Sequence, residues 1–132
     1  RALYNHITTA TRETAMARFK ALKAGENFHD LDPELKTTYS NADRTQNTIY
    51  MRLKYNEPSG TVVNVRKSMW IHPELDRAIS IREAARLQTF PDTFIFEGTK
   101  DSQYQQVGNA VPPYLAKAIA DSVISILNNA TE

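Results

Sequence analysis

The sequence predicts an α+β chain with a loop-rich front half, one small β-hairpin and a helical C-terminal half. Three observations carry that expectation. Ile49, Met51, Leu53 and Tyr55 alternate with Tyr50, Arg52 and Lys54, the period of a half-buried strand. Ser80-Ile81-Arg82-Glu83 has the spacing of a capping box, in which the Ser hydroxyl and the Glu carboxylate each satisfy a backbone N–H at a helix start. Leu115, Ile119, Val123 and Ile126 recur at helical spacing, backed by Ala116 and Ala120.

The elements follow in chain order. Residues 1–10 read as an entry loop, with Tyr4-Asn5-His6 as a local turn anchored by its aromatic ring. His6 has no second ligand at metal spacing, so no metal site is assigned. A helix is predicted from Thr11 to Ala24, capped by Thr11 or Thr9 and closed by Gly25 in a left-handed conformation. Met16, Phe19 and Leu22 would form its narrow buried stripe, with Arg12, Arg18, Lys20 and Lys23 mostly elsewhere. Residues 25–47 are polar and irregular. Asp30, Asp32 and Glu34 lack the glycine and the later glutamate of a calcium loop, so they read as turn chemistry around a short helical piece.

The predicted hairpin joins 48–55 to Thr61-Val62-Val63-Asn64-Val65 through Asn56-Glu57-Pro58-Ser59-Gly60. It directs Arg52, Lys54, Arg66 and Lys67 outward, which makes Arg66 and Lys67 candidate DNA contacts. The helix after Ser80 offers Ala84, Ala85 and Leu87 to a core and must stop near Phe90, because Pro91 disfavours the α conformation before it. Charges on that helix read as surface pairs worth a few tenths of a kcal/mol. Gly108 permits either a close backbone approach or a positive φ, and Asn109 offers both donor and acceptor atoms. Pro112 or Pro113 suits the first turn of the last helix, which runs to about Asn128.

Composition bounds the function classes. The 132 residues carry 16 Lys and Arg against 15 Asp and Glu, so net charge alone makes no case for nucleic acid. Local excesses do exist. Residues 1–24 hold Arg1, Arg12, Arg18, Lys20 and Lys23 against Glu13, and residues 44–82 are also basic. Such faces either meet phosphates or are simply solvated. Without cysteine there is no disulfide, no thiolate zinc site and no cysteine nucleophile in the sequence given, which fits a reducing cytoplasm. No run approaches transmembrane length. The opening Arg1, in place of Met, predicts a fragment or a trimmed chain.

Two segments carry a family resemblance. RAISIREAARLQTFPD at 77–92 and QVGNAVP at 106–112 resemble motifs IX and X of the DNA (cytosine-5) methyltransferases, in the family's order and with a family-like gap. His72-Pro73 extends the match, and Pro58-Ser59-Gly60-Thr61-Val62 resembles the end of the family's target-recognition region. The resemblance covers about residues 55–127, with a weaker one reaching back to Tyr4-Asn5-His6. It implies a chain that completes an α/β S-adenosylmethionine-dependent methyltransferase fold. Residues 1–76 would be part of the recognition region, and 77–132 a C-terminal segment packed on a catalytic domain.

The same resemblance implies that Asn109 and Ala110 border the S-adenosylmethionine and cytosine pocket, and that Thr61 holds a phosphate beside the extruded base. Read without it, Thr61 is a β-branched strand residue and Gly108-Asn109 a tight turn. The family's chemistry needs a cysteine that attacks the ring, a Glu in a Glu-Asn-Val type block and an early Gly-rich loop. None is present, so no catalytic residue is assigned here, and the chain alone is expected to be inactive. Double-stranded DNA is the expected partner, together with a missing N-terminal catalytic domain or subunit, or self-association through residues 105–127. A cytoplasmic, bacterial-type location and a place in restriction-modification follow from the resemblance. The alternative is a non-enzymatic DNA-binding module that uses basic faces at 12–23 and 52–67. A degenerate remnant that merely folds is the third reading.

Overall fold

A computed structural model of the chain describes residues 3–130, so Arg1 of the basic count lies outside the described residues. Six helices succeed one another: α1 (Glu13–Ala21), α2 (Pro33–Lys36), α3 (Val65–Ser68), α4 (Ile81–Leu87), α5 (Lys100–Asn109) and α6 (Pro113–Asn129). Short 3-10 turns stand at Phe28–Asp30 and Ala42–Arg44.

The expected hairpin does not form, and no strand occurs among the described residues. Residues 49–53 run through the middle of the molecule instead. On one side Gly25 donates to the Arg52 carbonyl and Phe28 to that of Ile49. On the other, Tyr50 donates to Ser68, and Leu53 and Ile71 exchange bonds with Ile71 and Met51. Only two isolated bridges result, Arg52 with Ile71 (parallel) and Ile71 with Ala78 (antiparallel). The alternation misled because it assumes one wet face. Tyr50 and Arg52, assigned to solvent by that pattern, are both buried. Left-handed backbone at Tyr50 (φ 53°) and Met69 (φ 53°) also breaks any regular ladder. The second expected strand is diverted at Asn64, whose side chain accepts from the Lys67 amide and starts α3.

With so little sheet, loop carbonyls need other donors, and three buried arginines supply them. Arg52 donates to Phe19 and Leu22 carbonyls at 2.6 and 2.8 Å, satisfying the open C-terminal end of α1, and pairs with Asp76 at 2.6 Å. Arg18 reaches the Leu35 carbonyl (2.7 Å), the Tyr50 hydroxyl (3.0 Å) and the Thr38 hydroxyl (2.5 Å). Arg82, fully buried, donates to the carbonyls of Tyr4, Pro91 and Phe94 and to the Asn5 side chain. The sequence expectation of surface-exposed arginines is therefore wrong at 18, 52 and 82. Asn5, rather than an aromatic ring, anchors the N-terminal segment. Its amide donates to Phe96 and Gln103 and accepts from the Phe96 N–H.

Two apolar clusters lie on either side of the central segment. One gathers Val62, Val65, Trp70, Ile79, Ile81, Ala84, Ala85, Tyr104 and Val107; the other gathers Phe19, Leu22, Phe28, Leu31 and Tyr50. α1 is shorter than expected. It begins after Arg12 without a side-chain cap, and Thr11 turns back to the Thr9 carbonyl. Gly25 does adopt positive φ (89°), but in the turn beyond the helix.

α4 has the predicted capping box, with Glu83 N–H donating to Ser80 Oγ and Ser80 N–H to Glu83 Oε2. Ala84 and Ala85 enter the core, whereas Leu87 stays outside. α6 begins with Pro113 at its first turn. It buries none of its residues: Leu115, Ile119, Val123 and Ile126 are 49–67% exposed. Lys117 and Asp121 form an i,i+4 pair on its polar side. Lys100–Asn129 taken as one stretch is long and apolar enough, by length and composition only, to cross a membrane, contrary to the sequence expectation. That stretch is two helices separated at Ala110-Val111-Pro112, the second of them amphipathic.

Candidate functional site

The end of α5 and the segment before α3 come together. α5 starts at Thr99, whose hydroxyl accepts from the Ser102 N–H, and its buried Gln103, Tyr104 and Val107 fix its rotation. Gly108 then faces the chain at Val63. A Cβ there would lie 2.9 Å from the Val63 carbonyl carbon and oxygen and 3.0 Å from the Asn64 nitrogen. The glycine is therefore required for close approach and not for positive φ. What it approaches is this chain's own backbone, two residues beyond Thr61.

α4 braces the same corner. The Gln88 side-chain amide donates to the carbonyls of Val107 (3.0 Å) and Ala110 (3.2 Å), across the end of α5. The Thr89 hydroxyl, on a residue in left-handed conformation (φ 64°), accepts from the Tyr114 N–H at 3.1 Å and so caps the start of α6. Gln88 and Thr89 were not singled out from the sequence. The available signal was a polar pair closing a helix that buries Ile81, Arg82, Ala84 and Ala85.

Within this frame each expected site residue has a place. Asn109 is the last residue of α5, exposed, and its side chain makes no hydrogen bond among the described residues. Ala110 is half-buried and extended, its N–H donating to the Val107 carbonyl. Thr61 is exposed beside buried Val62, and its hydroxyl has no partner among the described residues. Arg66 forms an ion pair with Asp101, so its charge is partly neutralised. Lys67 is exposed and unpaired among the described residues. The contact of Gly108 with Val63 thus forms a joined corner between the segment that carries Thr61 and the end of α5 that carries Asn109, with Arg66 and Lys67 on the adjoining α3.

A groove of about 440 Å³ opens between the loop leading to Thr61 and α4, lined among others by Lys54, Pro58, Gly60, Arg86 and Leu87. Glu83 sits at its edge. Burial raises the carboxyl, but two bonds from Arg77 (2.8 and 2.7 Å), the Ser80 N–H and the nearby positive charge lower it further, to about 2. The Glu83 carboxylate is thus a fixed structural anion. His72 is pushed below its ordinary value by burial and by Arg77, and its Nδ1 accepts from the Glu74 and Leu75 amides at 3.1 Å. Burial raises Tyr104, whose hydroxyl donates to the Ile79 carbonyl. No group of metal-ligating side chains occurs among the described residues.

Comparison with known proteins gives the arrangement a context. The family model of C-5 cytosine-specific DNA methylase matches residues 3–125. Type II methyltransferase M.DdeI of Desulfomicrobium norvegicum is 35% identical over 134 residues, covering 92% of this chain and 32% of that protein. Type II methyltransferase M.AquIB of Picosynechococcus sp. is 37% identical over 130 residues, covering 90% of this chain and 86% of that protein. A crystal structure assigned to a DNA modification methyltransferase encoded within an E. coli prophage superposes with TM-score 0.69 at 31% identity, over 94% of this chain and 29% of that one. The chain spans about a third of M.DdeI but most of M.AquIB.

Proposed function

Because the chain belongs to the C-5 cytosine-specific DNA methylase family, we propose that it supplies part of the DNA target-recognition region and the edge of the S-adenosylmethionine and cytosine pocket of a DNA (cytosine-5) methyltransferase. Residues 1–76 belong to recognition and 77–132 to the segment that docks on the catalytic domain. The observation that carries this reading is the joined corner itself, the Gly108–Val63 contact between the two segments on which Thr61 and Asn109 each stand exposed with an unengaged polar side chain.

S-adenosylmethionine fits this corner only at its edge. Asn109 presents a free amide and Ala110 a small side chain beside it, and Gln88 holds the carbonyls of Val107 and Ala110 on either side of Asn109. When bound, the cofactor supplies the methyl group. This chain's residues orient: the Asn109 amide donates and accepts at the pocket wall, and the Thr61 hydroxyl donates to a DNA phosphate. Lys67, and Arg66 once released from Asp101, add positive charge. The attacking cysteine must come from elsewhere, since the sequence given has none. α6 supports a partner that provides it. Its exposed apolar face needs cover, and the catalytic portion of such an enzyme, in the same or a second chain, is the fitting surface. A bacterial-type cytoplasmic setting accompanies this reading.

Reconstitution tests it. The chain is mixed with a separately produced catalytic portion carrying the cysteine, and transfer of labelled methyl groups to duplex DNA is measured. We expect no transfer by the chain alone, transfer by the mixture, and a fall of roughly ten-fold or more with Asn109→Ala, the loss expected from one pocket hydrogen bond. Transfer that ignores Asn109→Ala would remove the assigned pocket role. DNA binding without any rescue of transfer would favour a non-enzymatic binding module.

A further inference from the structure

A second cleft, of about 510 Å³, shares no lining residue with the groove beside α4. It is lined by the segment entering α1, by Thr38 and Tyr39, and by Arg66 and Tyr104. Three arginines, Arg12, Arg18 and Arg66, stand in its wall, and no carboxylate does. Arg66 has Asp101 as counter-ion; the other two have none among the described residues.

Arg18 is the telling residue. It is 5% exposed, and its Nε, Nη1 and Nη2 donate only to neutral acceptors: a carbonyl, a phenol and a hydroxyl. The Tyr39 and Tyr50 rings lie 5.1 Å from its guanidinium carbon and soften its field without cancelling it. A cation held away from water with no anion beside it is costly, and an anion arriving in the cleft would relieve that cost. The geometry around it suits such an anion. α1 begins here with Arg12 as an N-cap that makes no side-chain bond, so its first-turn N–H groups have no side-chain cap. Thr14 adds a hydroxyl donor, and Arg12 is exposed and unpaired among the described residues.

We propose that this cleft binds a backbone phosphate of the duplex DNA, with Arg12 as the contacting cation and buried Arg18 as the fixed charge behind it. The proposal rests on the DNA-recognition reading above and adds to it a contact point separate from Thr61 and Asn109. Arg18 already has its donors engaged, so it acts through its charge; Arg12, Thr14 and the α1 N-terminus make the bonds.

The test is duplex binding by the full chain, read by anisotropy of a fluorescein-labelled mixed-sequence duplex across a chloride series. Arg12→Ala removes an exposed side chain and leaves the fold intact, which circular dichroism verifies. Expected is weaker binding with the slope of log K against log salt reduced by about one, the signature of one lost phosphate contact. Lys20→Ala, exposed on α1 but outside the cleft, should leave the slope unchanged. An unchanged slope for Arg12→Ala, with wild-type binding present, overturns the cleft and leaves the DNA reading standing. No duplex binding by the wild-type chain overturns both. Loss of the Arg12-dependent component when inorganic phosphate replaces chloride at matched ionic strength would reassign the cleft to a free phosphate.

Discussion

Gly108→Ala probes the contact on which the proposed site depends. A glycine inside a helix ordinarily gains about 0.5–1 kcal/mol of stability when replaced by alanine, because the unfolded chain loses freedom. Here the added methyl would stand 2.9 Å from the carbonyl carbon and oxygen of Val63 and 3.0 Å from the nitrogen of Asn64. Carbon contacts are comfortable near 3.5–4.0 Å, so the backbones must separate by roughly 0.5–1 Å. The blocking atoms are backbone and cannot rotate away. Overpacking of this kind costs about 1–3 kcal/mol, which leaves a net destabilisation of about 1–2 kcal/mol. For a chain of this size that is a fall of roughly 3–10 °C in Tm.

Thermal unfolding followed by circular dichroism measures it. Gly60→Ala is the internal control, since nothing lies within 4 Å of a Cβ there and its φ is ordinary. The control should be neutral or slightly stabilising. If Gly108→Ala matched the control, the close approach of α5 to Val63 would be absent and the joined corner would fall with it.

Three further outcomes follow from the structure. Glu83 has a folded value of about 2 against an ordinary 4.5, so its stabilising effect is complete above pH 4.5 and is lost as pH falls toward 2. Discounted for partial solvent exposure the loss is about 2 kcal/mol, and urea titrations of Glu83→Gln should lack this step. Arg82→Met strands the carbonyls of Tyr4, Pro91 and Phe94 and should cost about 3 kcal/mol or more in chemical denaturation, beyond what a surface ion pair gives. Ile119→Asp on α6 should leave the stability of the chain unchanged within ~0.5 kcal/mol yet abolish methyl transfer in the reconstituted mixture; retained transfer would mean that this face is not the docking surface.

Several local signals agree with the structure, although the expected Thr cap and Gly25 closure of α1 do not. The Ser80–Glu83 capping box, the halt before Pro91 and the Pro113 start of α6 each depend on atoms a few residues apart. The helical period of α6 was legible for the same reason, and so was the family, carried by two contiguous segments. The candidate site was legible as residue types: Gly108 had to permit close approach or unusual backbone.

Tertiary structure decided what each such residue meets. The partner of Gly108 turned out to be Val63, some forty-five positions earlier, and Gln88 emerged as the brace only once α4 and α5 were seen packed together. The hairpin failed because an alternating pattern cannot tell solvent from a second buried face. Arg52 satisfies that second face by donating to the end of α1, a role with no sequence spacing to announce it. The buried Arg18 and Arg82 carry the same lesson, because a guanidinium's long stem and several donors let it serve whichever loop carbonyls the fold brings near. Local chemistry is written along the chain, whereas burial and long-range pairing exist only after it has closed on itself.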